Sequence, residues 1–161
     1  PGDRRRPGVN VDEGNVMSTS REAARDALVA LLETALKGAG LPVKTVTGSK
    51  VDDLSGLTPL VSVLSAGTLR QRLTFQGDIP VFSLEVQIWV RQECTGWTNA
   101  QAEDALDRIE SLIAGIYESN RGTANWEALE YSGPTTVHEM SVAGTAYYME
   151  RIPTTVKLKQ S

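Results

Sequence analysis

Between residues 81 and 91 apolar and polar positions alternate without a break. Phe82, Leu84, Val86, Ile88 and Val90 fall on one side, and Ser83, Glu85, Gln87, Trp89 and Arg91 on the other. A period of two predicts a strand with one buried face. From residue 102 the spacing changes to three and four, with Ala102, Ala105, Leu106, Ile109, Leu112, Ile113 and Ile116 forming one stripe. That stripe predicts an amphipathic helix, opened by Thr98 and Gln101 as a capping box and stapled by Trp97 against Ala102. Burying its large aliphatic side chains would contribute about 1.5 to 3 kcal/mol each before entropy, so the helix is expected to lie on the sheet. Acids in its first turns are expected to complement the positive end of the helix dipole.

An earlier helix is expected from the capping pair Thr19 and Glu22 to about Lys37, burying Ala24, Leu28, Leu31, Leu32, Ala35 and Leu36 before Gly38, Gly40 and Pro42 stop it. Residues 43–47 and 60–64 read as short strands around a polar loop at 48–59. Leu69, Leu73 and Phe75 share parity in a run that meets the long strand through Gly77 and Asp78, a hairpin signal that makes the centre of the sheet antiparallel. Residues 126–131, 135–142 and 146–158 read as strands broken at Gly133-Pro134 and Ala143-Gly144. Pro153 pushes the last of them towards a bulge or a sheet edge. Together these elements predict an α+β fold with two helices packed on a mostly antiparallel β-sheet and β-rich hairpins at the C-terminus. Residues 1–17, with the run Arg4, Arg5 and Arg6 and almost no bulky apolar residue, read as an extended arm ahead of a single domain over 18–161. Such an arm is either a solvated tail or a segment that orders against a neighbouring subunit.

At 161 residues a compact chain buries roughly 70% of the surface that its unfolded form exposes, so no staple is needed. No apolar run approaches the length of a membrane span, and residues 1–16 lack the apolar segment of a secretory signal. The lone Cys94 cannot close an internal disulfide, which points to a reducing compartment. A formal charge of −4 argues against a general nucleic-acid binder. Its distribution says more. Between residues 99 and 118 stand Glu103, Asp104, Asp107, Glu110 and Glu118 against Arg108 alone. The C-terminus, with Arg151, Lys157 and Lys159, is mildly basic, so one copy could meet the acidic face of another.

Candidate chemistry is sparse. One His and one Cys cannot make the convergent ligand sets that zinc needs, and Cys94 stands beside Glu93 rather than a cation that would activate it. His138 could act as a general base only with a nucleophile supplied by folding, and no nucleophile-elbow pattern accompanies it. Gly38-Ala39-Gly40 follows a helix and lacks a third glycine, so it is a helix stop and not a dinucleotide fingerprint. Asp52 and Asp53 read as a solvated pair. No catalytic residue, metal or cofactor is expected. Trp89 and Arg91 face the polar side of their strand, and both residue types are enriched at interface hot spots. Either a neighbouring subunit covers them or the first helix and the C-terminal strands do.

The order of elements adds a resemblance. A capped helix is followed by Leu41-Pro42-Val43, by the strand Pro-Leu-Val-Ser-Val-Leu at 59–64, by the long strand at 81–91, by the helix Ala-Glu-Asp-Ala-Leu-Asp-Arg-Ile-Glu at 102–110, and by a β-rich tail. This order, over residues 18–158, resembles that of the tail terminator proteins of long-tailed bacteriophages, which are related to tail-completion and neck proteins. The resemblance implies a virion structural protein, present in the host cytoplasm during assembly. It would form a hexameric ring that caps the tail tube and joins it to the head, with no catalytic residue or cofactor. The implied partners are further copies of the chain, the tail tube protein, a head–tail connector or head-completion protein, and genomic DNA passing through the lumen without sequence-specific binding. Trp89, Arg91, Arg151 and Lys157 are then candidates for the subunit interface. Glu103, Asp104, Asp107 and Glu110 are candidates for an acidic lumen or interface face, and Arg4, Arg5 and Arg6 mark the arm. Six copies at −4 each would carry −24. The alternatives are another neck or connector protein, a tail tube protein, a monomeric adaptor or chaperone, or a small hydrolase using His138.

Overall fold

The computed structural model of the chain describes residues 20–74, 77–93 and 97–158. The expectations for the arm at 1–17 with Arg4, Arg5 and Arg6, and those for Thr19, Phe75, Cys94 and Lys159, lie outside the described residues. Among the described residues two helices and six strands follow one another as α1 (Arg21–Leu36), β1 (Thr45–Thr47), β2 (Leu60–Thr74), β3 (Gly77–Arg91), α2 (Asn99–Ser119), β4 (Ala128–Tyr131), β5 (Thr136–Val142) and β6 (Thr145–Lys157). The fold is α+β, with a curled mixed sheet in the order β1-β2-β3-β6-β4 and with β5 also on β6. Among the described residues only β1 and β2 run parallel, and every other pairing is antiparallel.

The cap of α1 is one residue later than expected. Ser20 adopts an extended backbone and its side chain accepts from the Ala23 amide at 3.1 Å. The cap of α2 is the expected box, in which Thr98 accepts from the Gln101 amide at 3.2 Å while the Gln101 side chain accepts from the Thr98 amide at 2.8 Å. The first turn of α2 holds no acid. Glu103 and Asp104 stand further along, where the dipole has little effect.

Strand β2 is longer than the hydrophobic pattern predicts. A bulge between Ser65 and Gly67 breaks the period of two, so one continuous strand reads as two short ones. Gly77 and Asp78 are in the ladder, opposite Thr74 and Arg72, and not at the turn itself. Between β5 and β6 the chain reverses through Ala143 and Gly144, with φ of 51° and 80°. Positive φ at both central residues suits a tight hairpin, and glycine takes the second at no steric cost.

Pro153 is not at a sheet edge. Strand β6 is interior, with β3 along one side and, along the other, β5 beside Thr145–Arg151 and β4 beside Thr154–Lys157. The Pro153 carbonyl accepts from the Ser132 amide at 2.9 Å, so the nitrogen without a proton faces the gap where β5 ends and β4 begins. No ladder bond to β3 is lost.

Both helices pack on one face of the sheet. α1 buries Ala24, Leu28, Leu32 and Leu36, while Leu31 and Ala35 are half-buried. α2 buries Ala102, Leu106, Ile109, Ile113 and Tyr117. Against them stand all five apolar residues of the β3 alternation, with Val61, Val63, Leu129, Ile152 and Val156. A smaller cluster of Leu54, Leu60 and Tyr147, flanked by Val51, Leu57, Trp89 and Val142, lies under the loop that precedes β2.

Candidate assembly surfaces

The face of the sheet turned away from the helices carries the first candidate set. Trp89 is half-buried, its ring edge-on to Tyr147 at 6.1 Å between centroids and its Nε1 donating to Gln87 Oε1 at 3.2 Å. The loop residues Val51, Leu54 and Leu57 flank it. Part of its cover thus comes from a C-terminal strand, as one of the two sequence alternatives holds, and part from a loop that neither foresaw. Beside it a groove of roughly 500 Å³ runs past Leu64, Met140, Met149 and Arg151. Arg91 is exposed at the end of β3, and its carbonyl accepts from Trp97 Nε1 at 2.8 Å.

The register places Arg151 opposite Gln87 and Lys157 opposite Val81, so both lie on the same face as Trp89 but about 20 Å apart along β6. Each already has an acidic partner within the chain. Arg151 Nε lies 3.7 Å from Glu85 Oε2, and Lys157 Nζ lies 4.0 Å from Glu127 Oε1.

The acidic set sits on the outer side of α2. Glu103 and Glu110 are tied back to the sheet: Tyr148 donates to Glu103 Oε1 at 3.4 Å and Tyr131 to Glu110 Oε2 at 2.7 Å. Burial and then the Glu110 carboxylate push the Tyr131 hydroxyl far above its ordinary value, and Tyr148 is raised by burial and by Glu103. Asp104 and Asp107 are exposed, and among the described residues neither has a basic partner. Arg108, the one cation of α2, turns to the Gly40 carbonyl at 3.3 Å.

Three features lie outside what the hydrophobic pattern marks. Tyr117 extends the α2 stripe by one turn and bonds Thr154 Oγ1 at 2.8 Å in the core, stacking edge-on against Tyr131 at 5.3 Å. Its spacing of four from Ile113 was the available signal. Glu150 lies on the helix-facing side of β6, 5% exposed. Burial raises its carboxyl above the usual range, Glu110 and Asp107 add to the shift, and a bond from Thr135 opposes it. No sequence pattern marks a buried acid of this kind. Arg21 and Arg25, four apart on α1, donate to Thr68 Oγ1 and Ser65 Oγ of β2 at 2.9 and 3.0 Å. Helical spacing puts them on one face.

His138 is exposed on β5, with its Nε2 3.2 Å from Thr136 Oγ1. No group of three or more metal-ligating side chains gathers among the described residues, and no helix there is long and apolar enough to cross a membrane.

No family model matches the chain, and no curated protein does. Among solved structures it is similar to a chain of the virion of a native gene transfer agent particle, with 13% identity, a TM-score of 0.38 and coverage of 81% of this chain and 84% of that one.

Proposed function

We propose that this chain is a virion structural protein that ends tail assembly, acting as a ring-shaped terminator on the tail tube and as the surface on which the head is joined. The observation that carries this reading is the element order. A capped helix, the Leu41-Pro42-Val43 turn, the strand that begins at Leu60, the long strand β3, a second capped helix and a β-rich end follow one another. This is the order that the resemblance to phage tail terminators rests on. The ring works by assembly and needs no catalytic group, and its opening passes the genome. Its partners are its own copies, the tube protein and a head–tail connector or head-completion protein.

A closed ring needs a heterologous interface, in which one surface of each copy meets a different surface of the next. Negative-stain microscopy of the purified protein, alone and with tail tubes, tests the reading. Rings bound at tube ends are expected. Spontaneous long filaments would make it a tube protein, and a species of 17.4 kDa at every concentration, unbound to tubes, would refute assembly altogether. His138→Ala is expected to leave ring formation intact; a hydrolytic activity that vanished with that change would overturn a purely structural role.

A further inference from the structure

Two remote parts of the molecule carry charged side chains without an ion-pair partner among the described residues. At one, Arg21 and Arg25 reach across to Thr68 and Ser65 of β2, and Arg70 stands exposed two residues further along that strand. This is the end where β2 and β3 leave the body. The ladder between β3 and β6 stops at Val81 and Lys157, and residues 77–80 continue paired with β2 alone, for roughly 13 Å. A two-stranded ribbon is marginal in water by itself. Among the described residues none of the three arginines has an acidic partner, and Arg25 Nε is buried without a hydrogen bond.

At the opposite end of the strands, β3 passes into α2 at Arg91 and Trp97. There the helix presents Glu103, Asp104 and Asp107 to solvent, again without a basic partner among the described residues. Of the other cations on the sheet, Arg151 and Lys157 are paired within the chain, whereas Arg91 is exposed where β3 passes into α2. Three large apolar side chains are exposed among the described residues, one of them Leu41 after α1. Leu69, 56% exposed, lies next to Arg70 on β2, and Val137, 55% exposed, lies on β5 at the far side of the sheet.

We propose that copies of this chain join head to tail, with the Arg21, Arg25 and Arg70 end of one copy seated on the Glu103, Asp104 and Asp107 face of α2 in the next. The inference rests on the ring reading above and says which surfaces make the ring. Charges left unneutralised in one copy meet their counterparts in its neighbour, which steers encounter and sets the direction of assembly. The acids of α2 then line the joint between subunits and not the lumen.

The test uses the full chain in two double variants, Arg21→Glu with Arg70→Glu, and Asp104→Lys with Asp107→Lys, sized by light scattering at low and high salt. Wild-type assemblies are expected to weaken as salt rises. Each double variant alone brings like charges together and is expected to associate roughly 100-fold more weakly. Mixed in equal amounts, they restore both pairings if they alternate, and assemblies containing both variants are expected. Circular dichroism checks that each is folded, and the single changes Arg70→Glu and Asp104→Lys, both at exposed positions, replace a double variant that is not. Wild-type rings that tolerate both double changes, or folded variants that stay apart when mixed, overturn the docking proposal and leave the ring reading standing. A wild type that never assembles, even on tail tubes, overturns both.

Discussion

The two faces of the central sheet are made by the same strands, yet they differ in what covers them. On the helix side, α1 and α2 lay two apolar stripes over Phe82, Leu84, Val86, Ile88 and Val90, and all five side chains are buried. On the other side the cover is a loop and a few neighbours. Leu60, Tyr147 and Met149 are buried there, whereas Trp89 is half-exposed beside a groove and Glu85 pairs with Arg151 near the surface. Regular elements thus seal one face, and the irregular segment before β2 closes only part of the other. A strand that alternates in sequence therefore reveals one buried face and leaves the fate of its second face to whatever the topology brings near.

Ile88 and Trp89, adjacent in β3 and pointing to opposite faces, allow that contrast to be broken most directly. Ile88→Ala is expected to cost about 2 to 5 kcal/mol, since the surrounding core can relax only in part, and to lower Tm by roughly 10 °C. Trp89→Ala should cost about 1 to 2 kcal/mol, from the edge contact with Tyr147 and a half-buried ring. Equal losses in thermal melts would mean that the loop seals its face as tightly as the helices seal theirs.

Glu150→Gln sharpens the comparison from the other direction, because it removes a charge from the sealed side. The native state holds a proton on Glu150 more tightly than the unfolded chain does, so stability declines as pH rises from the ordinary glutamate range through the raised native value. The variant is therefore expected to melt higher at pH 7, by on the order of 2 °C. That gain should shrink as the pH is lowered and Glu150 becomes neutral. A constant gain across pH would show that the carboxyl is not titrating against burial. The smallest effect is expected from Arg151→Ala, which breaks a solvent-screened pair with Glu85 and should change stability by about 0 to 1 kcal/mol.

How legible each part was follows from the same physics. The β3 alternation and the α2 box could be read because periodicity and capping are local. The sheet order was less accessible. β2 was split by its bulge, and the interior place of β6 depends on two short strands sharing one of its sides, which no window of sequence displays. The candidate assembly surfaces were harder still. Arg151 and Lys157 stand out in sequence as a basic end, yet Glu85 and Glu127 reach them only through folding. The acids of α2 were plain as a run of like charges. Their separation from Arg21, Arg25 and Arg70 by the length of the sheet became visible only in three dimensions.

Pro153 has a consequence for solubility. Because it offers no donor at the point where β5 gives way to β4, the outer side of β6 is occupied by pieces of seven and four residues, not by one long strand. A long flat margin would present an unbroken row of amides and carbonyls on which stray chains could template. Interrupting it halfway leaves two short, differently positioned margins that favour no single register. Adhesion through the backbone is thereby discouraged.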